Sequence, residues 1–128
     1  MDWFYLPYYP VKGAFTSIEA VQYADKSVSI SCKDGSWHMD NSKYAILELL
    51  SMIDLAEGVV YISGLGLGLV ALLVANKDTV KKVIVSEQSQ EVIDFFNGQQ
   101  FSTDKIKVLH ESWVDHKGLE PYDCVLLD

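Results

Sequence analysis

The stretch Val59-Val60-Tyr61-Ile62-Ser63-Gly64-Leu65-Gly66-Leu67-Gly68-Leu69-Val70-Ala71-Leu72-Leu73-Val74 decides the reading of the fold. It opens as a β-branched run, breaks on three alternate glycines and resumes as an unbroken apolar run. That order predicts a buried strand, a tight turn and a helix lying back on a sheet. Without a Cβ, Gly64, Gly66 and Gly68 let the backbone take positive φ and approach a ligand closely. The helix that follows turns its N-terminal amides toward the same space, so a nucleotide-like ligand suits it.

Working outward, Lys82-Val83-Ile84-Val85-Ser86 reads as a second buried strand, with Glu87 at its C-terminal end. Glu87 lies 19 positions after Gly68 (87 − 68), about where a doubly wound fold sets the acid that binds a ribose diol. The loop spacing is G-x-G-x-G. A dinucleotide fingerprint counted from Gly64 would need its third glycine at Leu69, so the loop suits a ligand without a pyrophosphate and disfavours an NAD-dependent oxidoreductase. Downstream, Lys105–Leu109 alternates and reads as a third strand, with His110-Glu111-Ser112-Trp113 at its C-terminal end, where open α/β sheets bind ligands. Tyr122–Asp128 reads as a fourth strand.

Before the glycine loop, Asn41 or Ser42 can cap a helix over 43–56 that carries Ile46, Leu47, Leu50 and Ile53 on one face, with Gly58 closing it. This helix is expected to cover the sheet beside the strand at Val59–Ser63. After the second strand, Ser89 can cap a helix turning Val92, Ile93 and Phe96 inward and ending at Gly98. Upstream, Ser27–Cys32 alternates strictly, Lys33-Asp34-Gly35 is a turn, and Ser36–Asp40 returns, which together predict a hairpin. His38 and Asp40 either face a substrate cleft or are simply exposed. Ser17–Ala24 is expected to form a short helix. Trp3, Phe4, Tyr5, Tyr8 and Tyr9, punctuated by Pro7 and Pro10, give an aromatic arm that packs on the core or another subunit, or lies as a lid over a ligand.

YISGLGLG with Glu87, followed in order by KIKVLHESW and YDCVLLD, resembles the class I S-adenosylmethionine-dependent methyltransferases and their relatives the spermidine synthases. The resemblance covers residues 58–128. It implies an α/β, Rossmann-like parallel sheet with flanking helices, truncated after the fourth strand and preceded by a small β-hairpin. Residues 1–41 would then be the arm and hairpin, and 42–128 the nucleoside-binding domain with an incomplete second half. The strands would run third, second, first, fourth across the sheet. The implied cofactor is S-adenosyl-L-methionine or its decarboxylated form, held by Ser63, Gly64, Gly66, Gly68 and Glu87. Glu111 or Ser112 would recognise the exocyclic amine of the adenine, with Trp113 stacking on the ring or serving as a core aromatic. Asp128 would stand beside the reacting centre as a general base or substrate-orienting acid, in either methyl or aminopropyl transfer. The alternative is a non-catalytic Rossmann-like scaffold or truncated pseudoenzyme.

The formal net charge of −8 over 128 residues argues against a nucleic-acid backbone as partner and favours a small molecule or a basic substrate. Cys32 and Cys124 belong to no C-x-x-C pair and give no support for a metal site, which leaves them as free thiols of a reducing compartment. The longest apolar run, Val59–Ala75, has 17 residues, three glycines among them. That is short of the ~20 needed to span a bilayer, so a cytoplasmic protein is expected. Cys124, Val125, Leu126 and Leu127 make the fourth strand apolar on both faces, an edge expected to drive self-association.

Overall fold

The computed structural model describes residues 15–23, 27–99, 101, 104–118 and 121–127. The aromatic arm, residues 1–14, and Asp128 lie outside the described residues. The chain forms an α/β fold built on two sheets. Strands β1 (Ile18–Gln22), β2 (Val28–Cys32) and β3 (His38–Asp40) pair antiparallel in the order β1-β2-β3. Helix α1 (Lys43–Leu55) leads into β4 (Gly58–Ile62), α2 (Leu69–Ala75), β5 (Val80–Glu87), α3 (Gln90–Gly98), β6 (Ile106–His110) and β7 (Cys124–Leu126). These four strands are parallel, in the order β6-β5-β4-β7. That is the third, second, first, fourth arrangement expected from the sequence.

The main sheet follows from its β-branched runs. Val60, Ile62, Val83 and Val85 are fully buried and pair Val60↔Val83 and Ile62↔Val85. Helix α2 packs on β5 and against α1, and α3 packs on β5 and β6. Helix α2 is apolar around most of its surface because it is wedged there: Leu69, Val70, Ala71, Leu73 and Val74 are all buried. In α1 the inward face is Ile46 and Ile53, with Leu50 partly buried against the core as expected. Leu47, expected with them, is 43% exposed, and the helix lies beside α2. Its cap is Ser42, whose side chain accepts the Ala45 N–H, while the Asn41 carboxamide accepts the Val28 N–H. At the other end the Lys77 ammonium donates to the carbonyls of Ile53 and Asp54, which satisfies acceptors left over in the last turn.

The antiparallel sheet has three strands where the sequence suggested a hairpin. The segment read as a short helix, Ser17–Ala24, contains β1 instead. Eight residues are too few for an independently stable helix. Ile18 and Ala20 turn toward the core with Glu19 exposed between them, and β2 offers a full ladder from Ile18↔Cys32 to Gln22↔Val28. Two contacts seat this sheet on the main one. The Glu91 carboxylate of α3 accepts the backbone N–H groups of Thr16 and Ser17 and the Ser17 hydroxyl. Met39 Sδ receives the Leu67 N–H at 3.2 Å.

Gly68 is fixed by packing. It precedes α2 with φ at 81°, and an added Cβ would stand 2.3 Å from Cε1 of Phe96. Gly68→Ala should therefore cost about 1–3 kcal/mol in backbone strain and a similar amount in overpacking, visible as a lowered urea midpoint. Gly98→Ala, which meets nothing within 4 Å, should leave the midpoint unchanged or slightly raised. A Gly68→Ala protein as stable as the parent would contradict this packing.

Candidate functional site

The carboxyl ends of β4, β5 and β6 open onto one cavity of about 340 Å³, a size within the ~300–1,000 Å³ range of small-molecule sites. Its floor is the glycine loop, Ser63 to Gly66. Ser86, Glu87 and Gln88 line the side at the end of β5, and Glu111, Ser112 and Trp113 the side beyond β6. Trp37, His38 and Met39, delivered by the antiparallel sheet, form the opposing wall.

The structure brings together seven of the eight residues expected to hold the cofactor: Ser63, Gly64, Gly66, Glu87, Glu111, Ser112 and Trp113. Gly68 is not on the cavity wall, being turned against Phe96. Gly64 is where close approach is possible, since a Cβ there would meet nothing within 4 Å. Gly66 needs its glycine for a φ of 54°, and a Cβ would press on the thioether of Met39. Trp113 is 54% exposed and so is no core aromatic. His38 reaches the cavity with its Nε2 3.4 Å from Asp40 Oδ2, while the other Asp40 oxygen accepts the Ser42 N–H.

Glu87 does more than face the cavity. Its Oε1 accepts the Leu65 N–H at 3.1 Å and its Oε2 accepts the Ser89 N–H at 2.8 Å. One carboxylate thus joins the glycine loop to the turn that starts α3. Each oxygen keeps a second lone pair for a ligand hydroxyl. Met39 takes the next loop amide but one, Leu67, so two loop N–H groups are satisfied within the chain.

Behind the β6 wall lies a cluster that sequence reasoning missed. Glu111 Oε1 accepts from Ser86 Oγ at 2.9 Å and pairs with His116 Nδ1 at 2.6 Å. His116 Nε2 meets the Tyr122 hydroxyl at 2.6 Å, and the Tyr61 hydroxyl donates to Ser86 at 2.7 Å. The His116 ring stacks on Tyr61 with centroids 4.4 Å apart. Nothing in the spacing of HESWVDH marks this cluster, because the turn between Glu111 and His116 follows neither helical nor strand period. The His116 hydrogen bond, then that from Ser86, hold the Glu111 carboxyl below the usual carboxylate range, against some desolvation. Met39 carried a weak signal, as an apolar residue alternating with His38 and Asp40.

No family model and no curated protein sequence matches the chain. Solved structures do. A Listeria monocytogenes protein assigned as an S-adenosylmethionine-dependent methyltransferase superposes with a TM-score of 0.52 at 21% identity, over 63% of this chain and 37% of that one. A protein-L-isoaspartate O-methyltransferase superposes with a TM-score of 0.51 at 15% identity, over 74% of this chain and 32% of that one. The chain therefore has the Rossmann-like fold of the class I S-adenosylmethionine-dependent methyltransferases. It spans about a third of the length of these two structures. Among the described residues no helix is long and apolar enough to cross a membrane.

The lowered Glu111 carboxyl makes a pH prediction. A depressed folded-state value contributes stability that is fully present above the unfolded value of about 4.3. That contribution is lost as pH falls through the folded value. Denaturant titrations of the parent and Glu111→Gln between pH 7 and pH 3 should show the parent's advantage shrinking below about pH 5. An advantage independent of pH would mean that the carboxylate does not carry it.

Proposed function

We propose that this chain is the nucleoside-binding part of an S-adenosylmethionine-dependent transferase, with Glu87 on the ribose hydroxyls and Ser63, Gly64 and Gly66 beneath the thioether arm. The observation that carries this reading is the placement of Glu87. Its carboxylate stands between the glycine loop and the cavity, at the end of the strand next to β4. A carboxylate with free lone pairs can accept both hydroxyls of a diol. Glu111 and Ser112 lie across the cavity, where they would meet the base, and Trp113 at its edge offers a ring face. The charged lining residues are carboxylates, with no lysine or arginine among the residues that line the cavity. That suits a cationic sulfonium nucleoside and does not suit a pyrophosphate.

When bound, S-adenosylmethionine supplies an electrophilic carbon on a sulfonium. The chain's part is to bind, orient and exclude water, since alignment supplies most of what such a transfer needs. Trp37, His38 and Met39 wall the side of the cavity left open by the main sheet. Methyl transfer from the intact cofactor is the primary reading; aminopropyl transfer from the decarboxylated form would use the same nucleoside contacts. An acceptor-orienting role for Asp128 belongs to this proposal, as does a cytoplasmic setting.

A second reading has an observation of its own. The amides of Leu65 and Leu67 are already bonded to Glu87 and Met39, as in a scaffold that kept the fold and closed the loop on itself. Self-association is a further proposal: β7 pairs with β4 on one side among the described residues, and Val125 and Leu127 are exposed beside it. The expected occupant of that edge is a second copy of the chain.

Calorimetry with S-adenosylmethionine, decarboxylated S-adenosylmethionine, methylthioadenosine and NAD separates these readings. The nucleoside thioethers and sulfoniums should bind and NAD should not. Gly64→Ala should weaken their binding by about tenfold or more, as a methyl enters space the ligand needs, with thermal stability unchanged. Binding of none of the four would leave the scaffold reading standing, and tight NAD binding would overturn both.

A further inference from the structure

For an ionised Glu111 and a neutral His116, the hydrogen-bond directions follow from what each group can donate. An ionised carboxylate only accepts, so His116 Nδ1 must carry a proton to meet Glu111 Oε1 at 2.6 Å. In the neutral imidazole Nε2 is then an acceptor, and the Tyr122 hydroxyl must donate to it at 2.6 Å. On the other side the Tyr61 hydroxyl donates to Ser86 Oγ, and Ser86 Oγ donates to the same Glu111 oxygen. Two chains of donors therefore converge on Oε1. The His116 side chain is 8% exposed and stacks on Tyr61, with an interplanar angle of 12°, so its ring plane is held by packing as well. The titratable groups facing it are Glu111 from the end of β6, Tyr61 from β4 and Tyr122 ahead of β7; Asp115 and Lys117 flank it in the chain and are exposed.

We propose that His116, locked as the Nδ1–H tautomer by Tyr122, is the positioning residue of the base subsite. With Oε1 engaged twice, the carboxylate is held in one orientation, and Oε2 is left to accept a donor from the cavity that Glu111 lines. The chemistry recognised is a base with an exocyclic amine in preference to the same base with a keto oxygen, whose lone pairs would face a fixed carboxylate. This specificity rests on the nucleoside-binding reading above; the tautomer lock does not. Tyr61 and Tyr122 join the subsite to β4 and to the segment entering β7, so the base pocket depends on residues far from it in sequence.

The test has two arms. In the ligand-free protein, imidazole nitrogen NMR should show His116 protonated at Nδ1 and bare at Nε2 at neutral pH. A bare Nδ1 would overturn the proposal whatever the protein binds. In the second arm, calorimetry compares S-adenosylhomocysteine with its 6-oxo analogue, S-inosylhomocysteine, for the parent, His116→Asn, His116→Gln and Glu87→Ala. Asparagine can place an N–H near Nδ1, and glutamine places its amide nearer Nε2. His116→Gln should reduce the amine-over-keto preference by about tenfold, His116→Asn should keep most of it, and Glu87→Ala should weaken both ligands with the preference intact. Unchanged preference in a folded His116→Gln protein would overturn the positioning role while leaving the nucleoside site in place. Binding of neither ligand by the parent would reject the nucleoside reading and with it the specificity, leaving the tautomer lock to be judged by NMR alone.

Discussion

The arrangement depends on a single charged group that satisfies two loops at once. The ends of adjacent parallel strands present backbone N–H groups that no ladder can reach, and each would cost free energy if left bare away from water. Glu87 answers two of them, at Leu65 in the loop after β4 and at Ser89 in the turn before α3. The loop shape, the start of α3 and the carboxylate's own orientation are consequently one structural unit. A side chain that sequence spacing marks as a ligand contact is in the folded chain a structural tie.

The second feature is how the antiparallel sheet is brought to the cavity. Ile18, Val28 and Ile30 bury its inner face in the shared core, and three more contacts fix how its ends sit. Glu91 grips the backbone at Thr16 and Ser17 from α3, Phe15 packs edge-on against Phe95, and Met39 lies on the glycine loop. A polar clamp at one end and a thioether at the other set Trp37 and His38 on the same cavity as Gly64 and Leu65. A polarizable, unbranched methionine suits that position because it can move without breaking a rigid network.

Much of the parallel sheet was legible because its signals are local and strong. A β-branched run ending in alternate glycines has few other solutions, and Ser42 and Ser89 cap helices where their sequence positions suggest. Ser17–Ala24 was misread because a short segment takes its structure from its neighbour, and β2 decided in favour of a strand. Leu47 was placed inside on periodicity alone, whereas Ile46, Leu50 and Ile53 face the core and Leu47 lies exposed. The lining of the cavity was legible where strand ends carry it, at Glu87, Glu111, Gly64 and Gly66. His116 and Tyr122 were invisible, since their meeting with Tyr61 and Ser86 is set by how the chain after β6 folds over the sheet. Gly68 shows the converse: it belongs to the motif by spacing, and its duty is to make room for Phe96.

The central claim, that the carboxyl ends of β4, β5 and β6 form one nucleoside site, is tested most directly by backbone amide NMR during titration with S-adenosylhomocysteine. Shifts are expected at Ser63 to Leu67, Glu87 to Ser89 and Glu111 to Trp113, and none at the second hollow formed by Leu72, Ala75, Asn76, Asp104 and Lys105. Shifts confined to that second hollow, or a saturating titration that leaves the glycine loop unmoved, would contradict it.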